Sequence, residues 1–247
     1  MRTLCLVALA GLAAQPALAV GRLADVTVTD RDSGETLTPY VHRGEYWVAG
    51  RPGARYAISI RNQSGNRLLA VTSVDGINVL SGQGAAANQR GYVFDPWVGY
   101  EIDGWRKSSS EIAAFTFTAL PNAYAALTGR PKNIGVIGVG LFRERQPDPP
   151  PVASGQVSAE ARNEAVAERS ADSAGKASAA RAPSAPVAQA LGTGHGEREF
   201  SQVVSVPFER AHSRADETIR IRYDSRENLV ALGVIKLPKP RHVPDPF

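Results

Sequence analysis

The feature that most restricts this chain is a two-residue rhythm. Residues 55–62 set Tyr56, Ile58 and Ile60 on one side, with Arg55, Ser59 and Arg61 off it or at its ends. Residues 111–120 repeat the pattern, with Ala113, Phe115, Phe117 and Ala119 against Thr116 and Thr118. Successive side chains leave a strand on opposite faces, so this rhythm predicts strands with one buried face. Shorter runs at 23–29, 36–41, 46–48, 67–74, 77–80, 92–94, 100–102 and 217–223 carry the same expectation. Residues 134–142 are apolar on both faces, which predicts a strand at a sheet centre.

Turn chemistry separates the runs. Residues 30–34 and 50–53 are rich in Asp, Ser, Gly and Pro, and Asp75-Gly76 stands between two apolar-bearing runs, the strongest short-range hairpin signal. Residues 62–66 read as a hairpin loop, and the Asn62-Gln63-Ser64 triplet as a turn rather than a glycosylation site. Short alternating runs spaced in this way predict an all-β fold: an antiparallel β-sandwich, jelly-roll or Ig-like, of about eight to ten strands. Trp97 and Trp105, two of the three tryptophans, sit between residues 91 and 108, and large apolar side chains of this kind anchor small cores.

Composition divides the chain. A positive start, an apolar run from Leu4 to Ala14 and a small-x-small ending at Ala17 and Ala19 predict a secretory signal peptide over 1–19. That run is too short to span a bilayer, which needs about 20 residues, and no other stretch is long and apolar enough. The chain's one cysteine, Cys5, lies in this leader, so the mature part is expected to use no disulfide, thiol nucleophile or thiolate metal site. Residues 20–145 form the sandwich domain. Residues 146–190, rich in Pro, Ala and Ser and nearly free of large apolar side chains, predict a disordered linker; within it, 158–170 has transient helical character. Strands at 200–208, 217–223 and 228–235 then bring the segment 191–235 back to complete the first sheet, and 236–247 is a tail. The predicted location is periplasmic or secreted.

The candidate chemistry is sparse. No nucleophile elbow, zinc-binding helix or phosphate loop is present, and His42, His195, His212 and His242 show no ligand spacing, so neither metal nor cofactor is expected. Gly135, Gly138 and Gly140 fit a strand packed closely on its neighbours better than a nucleotide fingerprint. The glycines at 192, 194 and 196, beside His195 and Arg198, form either an anion-binding nest or a flexible re-entry loop. Trp105 and Arg106 offer an aromatic face and a guanidinium to a sugar or peptide, against core packing for the indole. The candidate ligand-binding residues are thus Trp97, Trp105, Arg106, His195 and Arg198. A surplus of 28 Lys+Arg over 24 Asp+Glu is small and interspersed, which excludes a nucleic-acid partner on this reading.

Several motifs stand together: Ser73-Val-Asp-Gly-Ile-Asn-Val79, Gly91-Tyr-Val93, Gly104-Trp-Arg-Lys-Ser108, Ala113-Ala-Phe115, Tyr124-Ala-Ala126 through Thr128-Gly-Arg-Pro131, and Asn133-Ile-Gly-Val-Ile-Gly-Val139. On these the chain resembles a family of uncharacterised exported proteins of Gram-negative bacteria, over about residues 22–145 and more weakly 223–235. The resemblance implies export and a single β-rich domain, and it transfers no catalytic residue. The expected function is a non-enzymatic module that binds an envelope component or a protein partner. The alternatives are a hydrolase acting on glycan or peptide, with a site around Asp75, Trp105 and His195, and a structural surface component built by edge-strand addition.

Overall fold

A computed structural model describes residues 19–146 and 190–237. The expected signal peptide up to residue 18, the expected linker and transient helix within 147–189, and residues 238–247 of the tail lie outside the described residues. The remainder is a β-sandwich of two sheets, each with seven strands.

In the first sheet, β1 (Ala24–Asp30) pairs with the two-residue β2 (Glu35–Thr36) and with β5 (Arg55–Asn62). One end of β5 meets β11 (Glu111–Ala119), and the other meets β9 (Gly99–Ile102). β10 (Gly104–Arg106) and β13 (Leu191–Phe200) flank β11. The second sheet runs β3 (Tyr40–His42), β4 (Glu45–Gly50), β14 (Glu217–Ser225), β12 (Val136–Arg143), β6 (Leu68–Val74), β7 (Ile77–Asn78), with β8 (Tyr92–Phe94) also on β6. β4 and β14 run parallel, and the other pairs are antiparallel.

The predicted alternation fills the space between the sheets. Tyr56 stacks on Phe117 at 4.1 Å and Phe115 at 5.2 Å, and Trp105 meets Phe115 edge-on at 4.9 Å. Such contacts add about 0.5–1.5 kcal/mol each beyond the area they bury. The outer face of the second sheet is apolar in two places and is covered in both. Leu69, Val71 and Phe142 lie under Phe208 and Ala215, while Leu229, Val234 and Ile235 pack with Tyr40 and Trp47.

Several expectations are corrected. The apolar run at 228–235 is no strand: a short helix (Arg226–Ala231) enters it, because the Ser225 hydroxyl accepts from the Asn228 N–H at 3.2 Å and caps the helix. The glycine-rich stretch at 191–198 is neither nest nor loop but most of β13. Gly192, Gly194 and Gly196 fall on one face, where a Cβ would stand 2.5 Å from Ala123 Cβ, 3.2 Å from Thr118 Cγ2 and 2.6 Å from Thr116 Oγ1 respectively. Glycine alternation here clears room for side chains lying across the strand. The strand expected at 200–208 ends at Phe200, and residues 201–208 belong to neither sheet. Residues 62–66 are no hairpin loop, since they lead from β5 in one sheet to β6 in the other. Finally, the C-terminal segment completes both sheets rather than the first alone: β13 joins β11, and β14 lies between β4 and β12.

Candidate functional site

The chain crosses from β8 in the second sheet to β9 in the first through Asp95-Pro96-Trp97-Val98. The Val98 N–H donates to the Asp95 carbonyl at 3.2 Å, and Trp97 has φ 64°, which makes this a type II turn with tryptophan at its third position. Glycine or asparagine normally fills that position; a bulky side chain in the left-handed region costs about 1–2 kcal/mol. Trp97 nonetheless remains 57 % exposed, so burial does not offset that cost.

The turn is held by the fully buried Asn62. Its Nδ2 donates to the carbonyls of Asn66 (2.7 Å), Asp95 (3.0 Å) and Phe94 (3.3 Å), and its backbone N–H donates to Val98 O at 3.0 Å. Its Oδ1 accepts from the Ser64 N–H and hydroxyl, both at 2.8 Å. The triplet is therefore a structural turn, as its sequence suggested, with the amide committed inside the protein. Arg67 adds an ion pair to Asp95 at 3.5 Å. Tyr100, on β9, packs its ring on the buried Phe94 at 5.4 Å and stays exposed together with Val98. Trp97, Val98 and Tyr100 are thus three exposed apolar side chains within four consecutive residues, on a rigid support.

The other candidates from the sequence lie elsewhere. Trp105 is 1 % exposed, with Phe115 against its ring, so it is a core residue and offers no face to a ligand. Arg106 is not free for a ligand either: its guanidinium donates to the carbonyl and hydroxyl of Ser201 and to the Tyr92 hydroxyl at 3.3 Å, clamping the chain after β13. Arg198 is exposed, 3.7 Å from Glu111. His195 stacks on Tyr124 at 4.0 Å and meets Trp105 edge-on at 4.8 Å. Burial, with the Lys107 ammonium in support, pushes its imidazole down to about 4, so it is neutral near pH 7. A groove of about 300 Å³ opens beside it, lined by Thr116, Thr118, Tyr124 and Leu127 among others. The structure therefore brings Trp105 and His195 together. It leaves Trp97 beyond the far end of β5, about 20 Å along the strand by register, since Asn62 contacts the Trp97 turn and Tyr56 pairs with Phe115.

Sequence reasoning missed one polar cluster. Asp75, in the β6–β7 turn, is buried, and it accepts from Thr193 N at 2.8 Å, Gly135 N at 2.9 Å and the Tyr223 hydroxyl at 2.5 Å. Tyr223 spends its proton on Asp75, so the Thr193 hydroxyl must donate to Tyr223 (2.6 Å) and Tyr56 to Thr193 (2.6 Å). Three hydroxyls thus point one way, toward the carboxylate. Burial raises the Asp75 carboxyl above its ordinary range, against the pull of these donors, and holds both tyrosines far above theirs. No sequence signal could have joined residues on three strands and a turn, although Asp75 marked its own turn correctly. Asp75 and Trp105 are both buried, so the three residues considered for a hydrolase share no open cleft. Among the described residues, no group of three or more His, Cys, Asp or Glu is placed to hold a metal.

In comparisons with known proteins, no family model matches the chain, and no curated protein or solved structure matches it.

Proposed function

We propose that the folded body is a non-enzymatic binding module of the cell envelope, exported under its N-terminal leader, and that it engages its envelope target through Trp97, Val98 and Tyr100. The observation that carries this reading is the exposed Trp97 at positive φ, fixed by the hydrogen bonds of a buried asparagine. Backbone strain persists where surrounding structure over-determines it, and it concentrates at ligand contacts. Rigid Trp and Tyr side chains give much contact area at little entropic cost on binding. The leader at 1–19 and the resemblance to exported proteins support the location.

The test uses isolated cell-wall fractions. They should retain the wild-type chain and release a Trp97→Gly variant whose thermal midpoint is unchanged or higher. Wild-type protein that no wall fraction retains, and that captures no partner on cross-linking, would refute the reading.

A further inference from the structure

Residues 200–206, Phe-Ser-Gln-Val-Val-Ser-Val, have the alternation of a strand and only half of a strand's hydrogen bonds. The N–H groups of Ser201 and Val203 donate to the carbonyls of Ser110 (2.8 Å) and Ser109 (2.9 Å). The backbone groups of Gln202 and Val204 point the other way, and among the described residues they meet no hydrogen-bond partner. Phe200 and Val204 are 79 % and 80 % exposed, on the side where a strand with one buried face would be covered.

The segment is nevertheless held in place, by arginine side chains instead of a neighbouring strand. Arg106 clamps Ser201, Arg90 reaches the Ser205 hydroxyl at 3.3 Å, Arg67 reaches the Pro207 carbonyl at 3.2 Å, and Arg210 bonds the carbonyl of Gln89. An edge held in place and left unpaired in this way is open to an added strand.

We propose that this edge pairs antiparallel with the same segment of a second copy, about a two-fold axis at Gln202. The chemistry of the segment points to itself as the occupant. No charged residue stands between Phe200 and Pro207, so no charge selects a charged partner strand and no like charges meet across the axis. The two-fold sets Phe200 of each copy opposite Val204 of the other, and the two Gln202 residues exchange both of their backbone bonds. The contact is isologous and uses the same edge in both copies, so it closes as a dimer and does not propagate into a filament.

The test is made on the full chain carrying Cys5→Ser, which leaves no native thiol. Light scattering after size exclusion, at two concentrations, should report twice the chain mass at the higher one. Added Gln202→Cys should give a covalent dimer on mild oxidation, because directly opposed Cα atoms about 5.5 Å apart lie within disulfide reach; Gly65→Cys should not. Val204→Pro removes the outward N–H, and Val204→Lys keeps it but sets a charge opposite Phe200. Both should return the monomer with an unchanged circular dichroism spectrum, since Val204 N–H bonds nothing within the chain. A wild-type chain that stays monomeric overturns the proposal, even if it captures another protein through this edge. A dimer that survives both Val204 variants, or one in which Gln202→Cys does not cross-link, overturns it as well.

Discussion

Removing the Asp75 carboxylate should cost more than any other single polar change in the described body. Asp75→Ala leaves the Thr193 and Gly135 N–H groups and the Tyr223 hydroxyl without their acceptor. A buried donor left unsatisfied costs about 1–3 kcal/mol. Alanine must also adopt the φ of 54° that Asp75 holds in the β6–β7 turn, at about 1–2 kcal/mol. Loss of a desolvated carboxylate offsets part of this, because burial already raises the Asp75 carboxyl. The net loss is about 3–5 kcal/mol, a large share of the roughly 5–15 kcal/mol that holds a domain folded. Asp75→Asn keeps one acceptor oxygen and tolerates positive φ, so about 1–2 kcal/mol is expected. Urea unfolding at pH 7, followed by tryptophan fluorescence with the buried Trp105 as reporter, should show the Ala midpoint lower by about 2 M. The Asn midpoint should fall between Ala and wild type. If Asp75→Ala costs less than about 1 kcal/mol, or if Asn is as damaging as Ala, these bonds do not hold the turn to β13 and β14.

Four further outcomes follow from the same geometry. Tyr56 and Tyr223 are held far above their ordinary pKa by burial, so above pH 10 the unfolded chain loses protons that the folded chain keeps; stability should fall with rising pH by about 1.4 kcal/mol per unit for each tyrosine, and Tyr56→Phe should lower that slope in alkaline denaturant titrations. His195 has the opposite sign: its folded pKa of about 4 lies below the unfolded value, so the unfolded chain binds the extra proton as pH falls from about 6.5 to 4 and stability declines over that window. Imidazole resonances assigned to His195 should titrate near 4, and a midpoint above 6 would contradict its partial desolvation against Tyr124 and Trp105. Gly192→Ala should destabilise by about 1–3 kcal/mol in thermal melts, through overpacking against Ala123 and Ile134, whereas Gly65→Ala, where a Cβ meets nothing within 4 Å, should be neutral. Trp97→Gly should be about 1 kcal/mol more stable than Trp97→Ala, and equal stabilities would show that the turn carries no strain.

What the sequence made legible was local. The Asp75-Gly76 hairpin formed as its turn chemistry requires, with φ of 54° and 74° and Val74 opposite Ile77. The rhythm of β5, β11 and β14 named their buried faces, and the Ser225 cap and Gly233 at φ 72° gave signals for the helix Arg226–Ala231 that a simple count of apolar residues overlooked. Which sheet each strand joins was not legible. Turn residues look alike whether a chain doubles back beside its neighbour or crosses the sandwich, as it does from β4 to β5, β5 to β6 and β8 to β9. The exposed turn was half legible: two tryptophans in one run promised a core, but Trp105 enters it through β10 while the tertiary bonds of Asn62 hold the Trp97 turn, where Trp97 stays exposed.

The placement of β14 explains why the distant parts of this chain must fold together. β4 finds its parallel neighbour, and β12 one of its antiparallel neighbours, in a strand that follows the long linker. Without β14, the second sheet separates into the hairpin β3–β4 and the group β12–β6–β7–β8, and isolated two-stranded ribbons are marginal in water. The Asp75 cluster sits where this dependence is greatest. Its acceptor and the Gly135 donor come from before the linker, while the Thr193 and Tyr223 donors come from after it. Hydrophobic burial between the sheets is indifferent to small sliding of β14 along β12, but a carboxylate with three donors at 2.5–2.9 Å is not. The buried polar chain therefore supplies register where apolar packing supplies only attraction, and that is the physical reason for an ionisable group buried between strands of the two sheets.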